Sequence, residues 1–441
     1  MKRRTFIRNT TLATVGIGLL DVSRLYSNSY QPVNNLTVNE QRIESRILDL
    51  AKFGRNTEGH GYRVAFSKGD IEGRNWLFDL LKKAGLETTR DEAGNIIGKR
   101  KGKNPSLKPI AFGSHVDMVP DGGNYDGTLG SLSALEVIEV LNEQKLVTNH
   151  PLEVIIFADE EGSMVGSKAI AGILTPEILK GTSHSGLSIS EGVRAIGGNP
   201  DLIQLCKRNK GEIHAFLELH IEQGGILEHE NLQVGVVEGI VGIEHWEVTV
   251  EGFANHAGTT PMNIREDALL AASKLVIAVN EVINSIKGNH VGTIGKIAAF
   301  PGAYNVIPGK VTLGLEIRDL STEKIESLFV EIEKRAVAIA NDSKTKISFV
   351  RQPSVSKPAL TDKSLQQLIN KAALSLSLTT KFMQSGAGHD SQNIAVIAPV
   401  AMIFVPSVGG ISHSPKEFTK TTDMTNGANV LLQTLLAVDR T

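Results

Sequence analysis

The chain has 441 residues, 41% of them hydrophobic and 21% charged, so it can bury a sizeable core and is long enough for two domains. A net charge of −2, with no large basic stripe, argues against nucleic acid as the main partner. Cys206 is the only cysteine, which excludes an intramolecular disulfide and a cysteine-based metal site.

The chain opens on KRRTFIRN, followed by TTLATVGIGLL, an apolar run of 11 residues that is too short to span a bilayer. Arg3 and Arg4, followed by Thr5, Phe6 and Ile7, resemble a twin-arginine export signal. Residues 1-30 are therefore expected to be a signal and linker, with periplasmic or other export as the destination. A basic end ahead of a buried helix, in a cytoplasmic protein, is the alternative. No stable membrane insertion is expected.

VNEQRIESRILDLAKFG then reads as an amphipathic helix, and DIEGRNWLFDLLKKAGLETTRDEAGNIIGKRKG as helix, strand, turn and strand. KPIAFGSHVD is a short apolar strand running into a glycine-rich loop, and GSLSALEVIEVLNEQ is a helix. LEVIIFADEEG, AFLELHIEQG and VAMIFVPSVGGISHSP are three more buried strands. Such alternation predicts an α/β fold: a mixed, mostly parallel sheet with helices on both faces. From about Val234 to Val350 the rhythm changes to strand, helix, two strands, helix and strand, the split βαββαβ order of a ferredoxin-like unit. The expected organisation is a discontinuous catalytic domain, 36-233 and 351-441, with a smaller α+β domain, 234-350, inserted as a lid or dimerisation module.

Active sites of open α/β sheets lie beyond the carboxyl ends of the strands. Four strands here discharge ionisable residues at that edge: His115 and Asp117; Asp159, Glu160 and Glu161; His220 and Glu222; and, a loop further on, His413. Asp126 lies in the loop after the first of them. Histidine and carboxylate ligands without cysteine suit a hydrolytic zinc or manganese site. Two histidines, two carboxylates and a shared Asp could hold two such ions close together. Each residue alone is more often a structural strand end or a solvated turn; the joint pattern, several apolar strands discharging polar groups at one edge, is what points to a metal.

The motifs GSHVDMV…GGNYDG, FADEEGS, LELHIEQG, NHAGTTPM, NVIPGK, SGAGHD and GISHSPKE, in this order, resemble the N-carbamoyl-L-amino-acid hydrolases and allantoate amidohydrolases. These belong to the dinuclear-metal amidohydrolases related to aminoacylases and metallo-exopeptidases. The likeness runs from about residue 40 to the end, and LELHIEQG and NHAGTTPM separate this branch from the peptidases.

The resemblance implies that His115, Asp126 and His220 hold one divalent ion, and that Asp126, Glu161 and His413 hold a second, either zinc or manganese. It implies that Asp117 orients the His115 imidazole through its carboxylate and that Glu160 is the general base. His256 would add a donor to the oxyanion from the lid of a neighbouring subunit, which implies a homodimer. Arg318 would hold the substrate carboxylate bidentately, with Asn305, Gln223, Gly388 and His389 adding polar contacts. A surface ion pair is the alternative for Arg318, and a self-bonded loop for His389 and Asp390. The implied substrate is a small ureido compound with a carboxylate. Its ureido C–N bond would be hydrolysed with release of ammonia and carbon dioxide.

Three departures from the family pattern concern the side-chain pocket rather than the metals. Asp159 stands where relatives often carry a third Glu, GSMVGSKA follows FADEE where an aromatic is expected, and GIEHWEV replaces a more basic stretch. Two rival readings remain at this point. An aminoacylase or dipeptidase could use the same metals, and an exported binding protein could keep the fold without turnover, although Glu160 and the complete ligand set argue against the latter.

Overall fold

The computed structural model describes residues 36–353 and 356–441. The twin-arginine segment lies outside the described residues.

Thirteen strands form two sheets among the described residues. The larger contains β1 (Glu87–Arg90), β2 (Ile96–Arg100), β3 (Ile110–Ser114), β4 (Leu152–Ile156), β5 (Ala215–Ile221) and β6 (Val234–Ile240). The smaller contains β7 (Gly242–Glu251), β8 (Val291–Phe300), β9 (Lys310–Asp319) and β10 (Lys346–Arg351). The chain then returns to the larger sheet with β11 (Ala359–Leu360), β12 (Thr380–Ser385) and β13 (Val400–Val405).

The larger sheet runs β1-β2-β4-β3-β5-β13-β6-β11, with β12 also on β6. Its centre, β4-β3-β5-β13, is parallel, and antiparallel pairs flank it at β2-β4 and β13-β6. The central strands are buried throughout, as expected of strands covered on both faces. Ile110, Phe112, Leu217 and Leu219 pack on one face with Leu132 and Leu135 of the helix Thr128–Glu143 and with Leu431 and Leu435 of the helix Thr421–Val438. Ala111, Ile155, Phe157 and Phe216 pack on the other, with Ile170 and Ile394. The alternation of neighbouring residues between these clusters is the two-residue period of a strand.

The smaller sheet is antiparallel, in the order β10-β7-β9-β8. The helices Ala268–Ser285 and Thr322–Ser343 cover one face, giving the βαββαβ order read from the sequence. Trp246 seals this core by stacking on Phe329, with ring centroids 4.3 Å apart and planes 8° apart. Ala268–Ser285 is apolar and long enough to cross a membrane, yet Ala271, Leu275 and Val279 bury it against this sheet.

One boundary differs from the sequence reading. Val234–Ile240 was expected to open the inserted unit, but it pairs with β11, β12 and β13 in the larger sheet. It is an apolar run buried at most positions, and Gly242 begins the amphipathic strand that follows almost at once. Without a helix or a long loop between them, the two strands read as one composition. β11 and β12 were not anticipated either: one has two residues, and the other, TKFMQS on β6, has polar pairs at both ends and so lacks an alternating pattern.

Candidate metal centre and substrate groups

Parallel strands carry their carboxyl ends to one edge. The register Phe112↔Leu217, continued three residues, sets His115 beside His220, and their ring centroids are 5.9 Å apart. Asp126 reaches the same point from the loop before the helix Thr128–Glu143. Asp126 Oδ1 lies 3.5 Å from His115 Nε2 and 3.1 Å from His220 Nε2. Asp126 Oδ2 lies 3.4 Å from His413 Nε2, which is itself 3.4 Å from Glu161 Oε2. Two triplets thus share Asp126: His115, Asp126 and His220, all buried, and Asp126, Glu161 and His413, with His413 the exposed member. In each, the donor atoms lie within 4.8 Å of one another.

Gly127 makes this approach possible. Its φ is +61°, and an added Cβ would fall 2.3 Å from His115 Nε2, so both the backbone conformation and the space require glycine. Asp159, Gln223 and His413 hold left-handed φ values of 56°, 58° and 52° without being glycine. Each such residue costs on the order of 1 kcal/mol or more, and such strain collects where side chains must be aimed at a site. The turn at Asp159 re-aims the chain just before Glu160 and Glu161.

The tautomers suit metal ligation. His115 Nδ1 bonds the carbonyl of Asp117 at 3.0 Å, and His220 Nδ1 bonds the carbonyl of Ile221 at 2.9 Å. A ring nitrogen that donates to a carbonyl leaves the other as a lone pair. Both Nε2 atoms face Asp126, and His115 Nε2 has no hydrogen-bond partner. Asp117 therefore orients His115 through its main chain, not through its carboxylate as expected, which stands 3.8 Å away. That carboxylate instead accepts the Glu161 backbone N–H at 3.0 Å and so holds the Glu160–Glu161 turn.

Charge favours a cation here. Burial, reinforced by Asp126, pushes the Glu161 carboxyl up to about 8. Burial also raises Glu160 well above the usual carboxylate range, against the pull of His115. The hydrogen bond to Asp126 lifts His413 to about 9. Asp126 itself is held low despite burial, because His220, His115 and His413 surround it. Glu161 Oε1, like His115 Nε2, is buried without a partner. Crowded carboxylates, orphaned donor atoms and preset tautomers are what a divalent ion would satisfy, and these residues fit one. Glu160 Oε2 lies 3.5 Å from His115 Nε2, at the rim of the cluster.

The expected substrate groups divide. Gln223 joins the cluster, its Nε2 donating to Asp126 Oδ2 at 2.6 Å. Gly388 lies against Met164, whose Cε would be 3.0 Å from an added Cβ. His389 is buried, its Nε2 bonds Ser385 Oγ at 2.9 Å, and its ring packs edge-on to His220 at 4.5 Å, so it backs that imidazole. Burial holds its imidazole well below the ordinary range, hence neutral.

Arg318 does form an ion pair, with Nε 2.7 Å and Nη2 3.1 Å from the Glu316 carboxylate, and its Nη1 donates to the Gly386 carbonyl at 2.7 Å. That last bond joins the smaller sheet to the loop before His389. His256 and Asn305 sit together elsewhere on the smaller unit, where Ala257 N–H donates to the Asn305 carbonyl at 2.9 Å. Both are exposed or nearly so, and neither bonds the metal cluster among the described residues.

Sequence reasoning missed Glu417 and Ser412. Glu417 Oε1 accepts the backbone N–H of Tyr125 (2.9 Å) and of Asp126 (3.1 Å), and its Oε2 accepts Ser412 Oγ at 2.8 Å. Ser412 Oγ also lies 3.2 Å from Asp126 Oδ2. Glu417 thus ties the His413 loop to the Asp126 loop. The available signal was an acid four residues after His413 in SHSPKE, inside a motif already singled out.

Residues 111–437 match the model of the peptidase family M20/M25/M40. The N-carbamoyl-L-amino acid amidohydrolase of Geobacillus stearothermophilus is 37% identical over 400 residues, covering 90% of this chain and 97% of that protein. The ureidoglycolate hydrolase of Arabidopsis thaliana is 38% identical over 414 residues, covering 91% of this chain and 87% of that one. A crystal structure of a hydantoinase/carbamoylase-family amidase from Burkholderia multivorans superposes with a TM-score of 0.85 at 34% identity, over 91% of this chain and 98% of that chain. With the sheet edge, the paired ligand triplets and these end-to-end likenesses in agreement, the chain belongs to peptidase family M20/M25/M40, in its hydantoinase/carbamoylase amidase branch.

Proposed function

We propose that the protein hydrolyses the ureido C–N bond of a small carboxylated substrate, an N-carbamoyl-L-amino acid or an allantoate-like compound. The observation that carries this is the pair of triplets sharing Asp126 with Glu160 at their rim, in a chain alike along its length to hydrolases of that bond. Two divalent ions, zinc or manganese, complete the site, one at His115, Asp126 and His220 and the other at Asp126, Glu161 and His413. When bound, they supply Lewis-acid polarisation and make water a nucleophile near neutral pH.

The chain's own groups do the rest. Glu160 takes the proton of the attacking water and returns it to the leaving nitrogen; a buried carboxyl with a raised proton affinity suits both steps. Arg318 takes the substrate carboxylate. Three of its five N–H groups are engaged by Glu316 and Gly386, which fixes the plane of the fork and leaves two for the ligand. His256 and Asn305 complete the site from a second subunit. They lie beyond the Lys310 end of β9, and Arg318 lies at the other end. At about 3.4 Å per residue the eight steps between Lys310 and Arg318 span roughly 27 Å, far more than one such substrate covers. Phe253, Met262, Ile264, Phe300 and Tyr304, all exposed around His256, are the apolar surface a partner would cover. Residues 1-30 are proposed to direct export by the twin-arginine route.

The test is ammonia release by the zinc- or manganese-loaded protein from N-carbamoyl L-amino acids, allantoate and ureidoglycolate, with N-acetyl amino acids and dipeptides assayed for free amine. Ammonia from a ureido compound is the expected result. Free amine from acyl or peptidyl substrates alone would move the chain to an aminoacylase- or dipeptidase-like activity. Gel filtration of an active monomer would remove the second subunit.

A further inference from the structure

Arg63 is fully buried, yet it has no carboxylate at ion-pair distance among the described residues. Burial brings its guanidinium down to about 10, which leaves it charged at neutral pH. A buried charge without a counter-ion is costly unless it is well hydrogen-bonded, and here four of its five N–H groups are engaged, so that every nitrogen has a partner. Nη1 donates to the carbonyls of Leu50 and Phe53, at 3.0 and 3.2 Å, at the carboxyl end of the helix Glu40–Leu50. The negative end of the helix dipole favours a cation there. The other two bonds point towards the metal centre. Nε donates to the Val116 carbonyl at 2.7 Å, in the peptide between His115 and Asp117. Nη2 donates to Thr128 Oγ1 at 3.2 Å, in the first residue of the helix that follows Asp126 and Gly127. The Arg63 carbonyl also accepts Met118 N–H at 3.1 Å, so residues 116–118 are bracketed from both sides.

We propose that Arg63 is a positioning residue of the metal centre: its guanidinium ties the strand end that carries His115 to the loop that carries Asp126, and so sets their separation. The inference rests on reading those two residues as metal ligands. The contact of Gly127 with the His115 ring leaves no slack between the two segments, so a shift of either is passed to the ligand pair. Lysine could not replace the fork, because one ammonium cannot reach a carbonyl and a hydroxyl on opposite segments in a fixed plane. The next strand carries the same kind of support: Arg74, also buried, donates to the Phe157 carbonyl at the end of β4 at 2.7 Å.

The test compares Thr128→Val, Arg63→Lys and a control, Thr361→Val. Thr361 is a buried hydroxyl that donates to Val237 O and accepts from Gln366 at the β6–β11 edge. Three readouts are taken: melting of the metal-free protein, the zinc dissociation constant by competition with a chromophoric chelator, and kcat and KM separately. Losing an outer support of a metal ligand typically costs about 10–100-fold in metal affinity. Thr128→Val is expected to weaken zinc binding about 10-fold and to lower kcat, with KM within about 2-fold of wild type. Thr361→Val is expected to lower Tm with zinc affinity unchanged. Arg63→Lys, where it folds, should lose more zinc affinity than Thr128→Val. Wild-type zinc affinity in Thr128→Val, or an equal loss in Thr361→Val, overturns the proposal. Failure of the wild-type protein to bind zinc, manganese or cobalt would instead overturn the metal-centre reading on which it rests.

Discussion

The carboxyl edge of the larger sheet and the His256–Asn305 end of the smaller one are built in opposite ways. At the sheet edge His115, Asp126 and His220 are buried, and the outward nitrogen of each histidine and the flanking loops are held by main-chain and side-chain bonds. At the other end His256 is bonded within its own loop and Asn305 accepts Ala257 N–H from that loop, amid exposed Phe253, Met262 and Tyr304. The first cluster is drawn together by side chains of one chain. The second presents polar groups and apolar surface that, among the described residues, stay exposed. Ligands for an ion have to be preorganised, because the cost of bringing carboxylates together is met during folding. A group that only has to meet a substrate can be delivered later, by closure or by a second copy.

The largest effect expected is at the preorganised edge. Glu160→Gln should keep the fold and the metal content but lose about 10²–10⁴ in kcat, the usual worth of a general base. Near-normal turnover in metal-replete Glu160→Gln would take the base role away. Next is Arg318→Ala, which removes a charge-assisted clamp worth about 1.5–3 kcal/mol, so KM for carboxylated substrates should rise on the order of 10- to 100-fold with a smaller change in kcat. An unchanged KM would mean that the Glu316 pair is all Arg318 serves.

The lid end is sharpened by mixing. Glu160→Gln and His256→Ala are each expected to be inactive as pure dimers, whereas an equimolar mixture after subunit exchange should regain about a quarter of wild-type activity, since half the dimers are hybrids with one of two sites intact. No recovery after subunit exchange would place His256 in its own subunit's site, or in none. The smallest effect is thermal. Chelation should abolish activity and lower Tm by a few degrees, because an ion that binds only the folded state stabilises it by mass action. Re-addition of zinc or manganese should restore both. A chelated protein with full activity would break the comparison at its root.

Much of the sheet edge was legible in the sequence, because each ligand follows an apolar strand and parallel strands discharge at a common edge. The βαββαβ unit was legible for a similar reason: its strands alternate and its helices are long and amphipathic. Val234–Ile240 was not, since a strand buried at nearly every position has no period and its partners are more than 100 positions away in the chain. Nor was the main-chain orientation of His115, where the carbonyl and the carboxylate belong to the same residue and only distance separates 3.0 Å from 3.8 Å.

By itself, then, the sequence determined residue types and their order along the chain: which strands lead into His, Asp or Glu, and which segment forms a separate antiparallel unit. Tertiary structure alone decided which groups support the ligands. Glu417 beneath Asp126 and Arg63 between two segments are ordinary polar residues in the sequence, far from what they hold, and the place of His389 behind His220 was equally hidden. Their meaning comes from burial, because a polar group without water must find its partner wherever the fold has put one.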